Sequence, residues 1–214
     1  MTNVETLLSI ASEPLAGQPA AMPELLRPYL LGDELFRMLR EKNGFYAFES
    51  ALHVFPFTGD SKTGLEAWNA GPLWKDAYEG LAEGLLFFAE DILQDQFCLS
   101  LRNDGVLRFH SETGQTELHS NSIEAWAGVI LSDYRHETGW PFVHEWQAKN
   151  GILARGKRLM PKTPFFLGGE YHIENLWAGN PLDGMRLKAD LAMQTRRLPE
   201  GARVKLNISP KPKQ

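Results

Sequence analysis

Apolar residues recur along this chain in two rhythms, one of helical period and one of strand period. Leu35, Phe36 and Leu39 share a face over Asp33 to Lys42, and Asn43-Gly44 behind them tolerates the left-handed backbone that ends a helix. A shorter helix is predicted over Val4 to Ala11, followed to about Met22 by a loosely held stretch rich in Ala, Ser, Pro and Gln. From Phe45 the rhythm shortens. Phe45 to Phe48 and Leu52 to Phe55 are aromatic-rich runs separated by Glu49-Ser50-Ala51, the pattern of a hairpin closed by Pro56. Gly64 to Gly80 reads as two short helical pieces broken at Gly71-Pro72. Leu85 to Ala89 is an unbroken apolar run suited to a buried strand, and Gln96 to Leu101 alternates, with Phe97, Leu99 and Leu101 on one face. Asn103-Asp104-Gly105 and Glu112-Thr113-Gly114 are turns on either side of Val106 to His110, and Gln115 to His119 closes an antiparallel meander.

Such a meander needs a cover, and Ile123, Trp126, Ala127, Ile130, Leu131 and Tyr134 form a helical apolar stripe for it, with Asn121 and Glu124 as a capping box. A further helix is predicted over Trp140 to Asn150, and then an extended stretch over Lys157 to Leu167 broken by Pro161 and Pro164. Asn180-Pro181 opens a helix to about Leu198. Ala202, Val204, Leu206 and Ile208 then alternate with Arg203, Lys205 and Asn207 as a last strand before a frayed tail. The fold class expected is α+β: a mainly antiparallel sheet of about six strands backed by helices, with a C-terminal α/β extension.

Composition narrows the class without naming a reaction. The 214 residues are 43% hydrophobic and 23% charged, ordinary values for a globular domain, and a chain of this length buries roughly 70% of its unfolded surface without a metal or disulfide staple. Cys98 has no second cysteine to pair with, the start carries no pattern of a secretion signal, and the longest wholly apolar run, Leu85 to Ala89, is five residues. A bilayer span takes about 20. A cytoplasmic protein with no membrane partner is expected. The net charge of −5 is unevenly spread: residues 1–148 hold 22 acidic and 9 basic side chains, and residues 149–214 hold 5 and 13. Between Asp76 and Asp95 stand Asp76, Glu79, Glu83, Glu90, Asp91 and Asp95 with no Lys or Arg at all, a stretch that could steer a basic partner.

Gly151 to Arg158 matches a phosphate-loop spacing up to Lys157, but Arg158 stands where magnesium coordination wants Ser or Thr, and a helix precedes the loop. None of His53, His110, His119, His136, His144 and His172 forms a paired helical metal spacing; His110, Glu112 and His119 could meet on the hairpin rim. No Gly-x-Ser-x-Gly elbow is present, and Cys98 between Phe97 and Leu99 reads as a small buried hydrophobe. Glu90, Asp91 and Asp95 could serve as acid and base, or as a contact surface. The basic C-terminal third shows no nucleic-acid reader. Trp126 is expected in the core, whereas Trp68, Trp74 and Trp140 stand in turn-rich contexts where they could anchor a contact.

A succession of motifs carries a resemblance. Asn43-Gly44-Phe45-Tyr46-Ala47-Phe48-Glu49, Leu52-His53-Val54-Phe55-Pro56, Phe87-Phe88-Ala89-Glu90-Asp91, Asp95-Gln96-Phe97, Glu112-Thr113-Gly114 and Ile123-Glu124-Ala125-Trp126-Ala127 stand in the order in which the chain resembles the SUKH superfamily, over roughly Pro23 to Tyr134. Pro164 to Tyr171 and Leu198-Pro199-Glu200-Gly201 look like the extension of longer bacterial members. The resemblance implies an N-terminal segment 1–22, a core 23–135 and an extension 136–214. It also implies a non-enzymatic protein without catalytic residues, cofactor or metal. Its bacterial members act as immunity proteins against a protein toxin, often a nuclease or deaminase, and its eukaryotic members as regulators that bind a cellular partner. The contact residues expected here are Asp76, Glu79, Glu83, Glu90, Asp91 and Asp95 with Trp68 and Trp74, on a monomer or homodimer.

Overall fold

The computed structural model describes residues 1–59 and 64–196. Six strands run in chain order across one antiparallel sheet: β1 (Phe45–Ala47), β2 (Leu52–Val54), β3 (Leu85–Glu90), β4 (Gln96–Ser100), β5 (Val106–His110) and β6 (Gln115–Ser120). The helices of this part are α1 (Asn3–Ile10), α2 (Gly32–Glu41), α3 (Leu65–Trp68), α4 (Ile123–Ser132) and α5 (Tyr134–Glu137). Beyond them come α6 (Trp140–Asn150), a two-stranded antiparallel sheet of β7 (Arg158–Pro161) and β8 (Leu176–Gly179), and α7 (Pro181–Thr195). The architecture is α+β. Among the described residues, no helix is long and apolar enough to cross a membrane.

Every residue of β3 and β4 is buried, because the sheet is covered on both faces. On one face Trp126 of α4 meets Phe88 and Phe97 edge-on, with ring centroids 5.2 and 5.7 Å apart. On the other, Phe87 and Phe109 pack against Trp74 and Tyr78 from the short helical pieces before β3, and α7 lies alongside. The alternation in β4 predicts one covered face with Leu101 in it; Leu101 instead falls past the strand end and is exposed. Burying an aromatic or aliphatic side chain of this kind contributes about 1.5–3 kcal/mol. The two-sided aromatic packing therefore contributes strongly to holding the sheet.

Local signals set the element ends. The cap of α4 is Ser122, whose hydroxyl accepts from Ala125 N at 2.9 Å, rather than Asn121. Glu124 reaches across to accept the backbone N–H groups of Asn3 and Val4 at the start of α1, where a carboxylate offsets the exposed amides. Gly44 holds φ at 67°, and any Cβ there would lie 2.6 Å from Pro56. The stretch after α1 is held, not loose: Ser12 N donates to Tyr46 O at 2.8 Å, Leu15 N to Gly44 O at 2.9 Å, and Asn43 donates to Gly17 O. The strand expected over 202–208, the tail and the end of the helix toward Leu198 lie outside the described residues.

The β1–β2 turn is unusual. Phe48, Glu49 and Ser50 have φ of 53°, 56° and 72°, three successive side-chain-bearing residues in a region that costs roughly 1–2 kcal/mol each. The part of the chain after α4 clasps this turn. Phe48 stacks on Tyr134 at 4.7 Å, Glu49 faces His144 Nδ1 at 3.1 Å, and Ser50 O accepts from Arg158 Nη1 at 3.1 Å.

Candidate functional site

A cleft of about 980 Å³ opens where the ends of β5 and β6 meet α5, α6, the 165–171 loop and α7. Its floor is ionic and one wall is aromatic. Phe165 and Tyr171 stack at 4.1 Å with Phe142 beside them, and Glu112 fixes that wall by accepting the N–H groups of Phe165 and Phe166 at 3.3 and 3.1 Å.

The floor is a closed circuit of charge. Asp91 Oδ2 accepts from Arg108 Nη2 at 2.7 Å while its Oδ1 accepts the amides of Leu93 and Asp95 at 2.8 and 2.9 Å. Asp95 Oδ1 accepts from the amide and hydroxyl of Ser111 at 2.9 and 3.0 Å, and its Oδ2 faces His110 Nδ1 at 3.0 Å. Arg108 also reaches Glu137 at 3.2 Å, which in turn faces His119 Nε2 at 3.1 Å. Lys188, 5% exposed, donates to Leu93 O and to Ser111 Oγ. Burial and the neighbouring Asp95 charge raise Asp91 to about 7. Burial pushes Asp95 up as well, but the His110 hydrogen bond and the Lys188 and Arg108 charges outweigh it and hold Asp95 at about 2.

The Asp95 hydrogen bond raises the His110 pKa above its ordinary 6.5. A raised pKa in the folded state means that protonation favours folding. The contribution is whole below the unfolded value and is lost as pH rises through the folded one. An NMR titration of His110 is expected to show a midpoint above 6.5 that drops in Asp95→Asn; a wild-type midpoint at or below the ordinary value refutes the pairing.

A second ionic cluster ties β7 to the main sheet. Arg158 of β7 and Glu90 of β3 are each 1% exposed, and Arg158 Nε donates to Glu90 Oε1 at 2.8 Å. His53 faces the same carboxylate at 3.1 Å, and Gln96 joins it while accepting from Trp68 Nε1 at 2.9 Å. Burial pushes Glu90 up, yet the Arg158 and His53 partners hold it below the usual carboxylate range. The residue that breaks the phosphate-loop match is thus the buried counter-ion of the sheet.

The structure divides the eight expected contact residues. Trp68 and Trp74 are 8% and 1% exposed and belong to the core, and Glu90 and Asp91, at 1% and 3%, are withdrawn from the outer surface. Their charges are answered by Arg158 and Arg108, which lie outside the cation-free window in sequence but beside it in space. Asp76, Glu79 and Glu83 are exposed, and Asp95 is partly so. His110, Glu112 and His119 do not converge: each is held by a different partner, Asp95, the 165–166 amides and Glu137. Among the described residues, no three His, Cys, Asp or Glu side chains gather closely enough to hold a metal ion. Cys98 is buried in β4, and burial pushes its thiol far up. The sequence reading missed Arg108, Glu137 and Lys188. Lys188 left a signal, a lysine three residues after Met185 and four before Ala192 on the apolar stripe of its helix.

No protein-family model matches the chain, and the search of curated proteins returned no match. Among solved structures, the crystal structure of Atu4351 from Agrobacterium tumefaciens is similar, with a TM-score of 0.55 and 13% identity over 86% of this chain and 87% of that one. At that identity the likeness extends to the fold alone.

Proposed function

We propose that this chain is a non-enzymatic protein-binding domain of the immunity type, which neutralises a protein toxin by occupying it. The observation that carries this reading is the closed circuit on the cleft floor. Asp91 and Asp95 commit both carboxylate oxygens to Arg108, His110, Ser111 and the backbone, and Glu137 and Lys188 are bonded to Arg108, His119, Ser111 and Leu93 O, with Arg108 Nε left without a hydrogen-bond partner. A base or nucleophile needs a lone pair aimed at a substrate. Groups committed in this way instead build a rigid, shaped surface. The acidic residues 1–148 add a field that steers a basic partner, and the exposed Asp76, Glu79 and Glu83 contribute to it. The succession of motifs resembling the SUKH superfamily supports the same class of activity.

The test is co-expression with the toxins encoded beside the gene. Relief of growth arrest and binding at micromolar concentration or below are expected for one of them; failure with every neighbouring toxin overturns the reading, and a pull-down yielding only a housekeeping partner favours a regulatory scaffold. One observation favours an acid–base enzyme instead, namely Asp91 raised to about 7 beside Asp95 held at about 2 in this cleft. Under the binding reading Asp91→Asn retains the neutralisation shown by wild type wherever it folds; under the catalytic one wild type turns over a substrate and the folded variant does not.

A further inference from the structure

The two edges of the main sheet are treated differently. The outer edge of β1 is bonded by the segment after α1, through Ser12 N to Tyr46 O at 2.8 Å and Tyr46 N to Ser12 Oγ at 3.0 Å. Even β7 of the small sheet is tied on its far side, Leu159 N donating to Ile92 O at 3.0 Å. At the other end, among the described residues, the backbone of 116–119 hydrogen-bonds to β5 alone. This strand is six residues long and carries neither Pro nor Lys, the residues that commonly blunt an edge, and Leu118 is 63% exposed.

Both faces of that edge open onto a hollow. Gln115 and Glu117 line the large cleft, while Thr116 and Leu118 line a second hollow of about 320 Å³ on the opposite face. Alternate pockets along an unpaired edge are what strand addition requires: the backbone ladder supplies affinity, and the side chains that drop to either face supply specificity. The charge at this edge is negative on balance. Glu117 borders both hollows, with His110 Nε2 3.2 Å from it; five carboxylates face Arg108, Arg135 and Lys188 in the lining of the large cleft, and Asp104 with no Lys or Arg lines the second.

We infer that β6 receives an extended basic segment of the protein partner as a seventh strand of the sheet, with a cation set against Glu117 and an apolar side chain against Leu118. The inference rests on the protein-binding reading above and specifies where that binding occurs.

The probe is a capped peptide of alternating lysine and valine, with a glutamate–valine peptide as control, titrated into the full chain and followed by NMR and amide exchange. The lysine peptide is expected to shift and protect the amides of 115–119. Glu117→Lys and Leu118→Asp, both at exposed positions, are expected to weaken it several-fold, and added salt to weaken it further. No change at 115–119, equal response to the glutamate peptide, undiminished binding by both variants, or dimerisation of the free chain through β6 each overturns the inference. If wild type and both variants neutralise the same toxin equally, strand addition fails while the immunity reading stands. If wild type neutralises none and the peptide still binds at β6, the immunity reading fails and the edge remains a peptide site.

Discussion

Replacing Arg158 with methionine is expected to cost about 3–5 kcal/mol of folding stability, the penalty of leaving one member of a buried ion pair without the other. Glu90 would keep only His53 and Gln96 around a carboxylate that is 1% exposed. Without the guanidinium, burial takes over and the folded-state pKa of Glu90 rises above its unfolded value. Stability of the variant then falls as pH rises between those two values, so the deficit relative to wild type is larger near neutrality than in mild acid. Urea unfolding at two pH values measures this. A loss below 1 kcal/mol that is the same at both would show that the pair carries little. The double variant Glu90→Leu with Arg158→Met is expected to lose less than Arg158→Met alone, since no buried charge is stranded.

Trp74→Ala is the second large effect, about 3–5 kcal/mol from lost transfer and an unfilled cavity. Trp74 packs on Phe87 at 4.9 Å and Trp68 at 5.5 Å, and its Nε1 donates to Trp68 O at 2.8 Å. The exposed Trp177, at 44%, is the control, and its alanine variant is expected to stay within about 0.5 kcal/mol of wild type. Thermal and urea unfolding decide between core and contact. A Trp74→Ala protein of unchanged stability that binds its partner poorly would restore Trp74 to the surface.

These two residues also show how far the sequence could be read. Hairpin turns at Asn103-Asp104-Gly105 and Glu112-Thr113-Gly114 and the stripe from Ile123 to Ile130 are local devices, and each strand and helix they announce is present. Trp74 was harder because turn-rich sequence around an aromatic is compatible with either side of the surface; only the neighbouring strand decides. The cleft was least legible. Arg108, Glu137 and Lys188 come from three elements and Asp91 from the turn after β3, and nothing in local periodicity pairs an aspartate with an arginine 17 residues on. A window without cations looked like a negative surface because its counter-ions are supplied by the fold.

The left-handed turn of Phe48, Glu49 and Ser50 bears on how the chain is made. The strands of the main sheet are neighbours in sequence and can be laid down in turn as they leave the ribosome. The clasp on their first turn arrives much later, since His144 lies 95 residues beyond Glu49 and Arg158 108 residues beyond Ser50. At typical translation rates of about 5–20 residues per second, that first hairpin waits several seconds for the residues that lock it. The nascent chain therefore exposes an unfinished sheet margin, and its earliest-made corner is among the last to be secured.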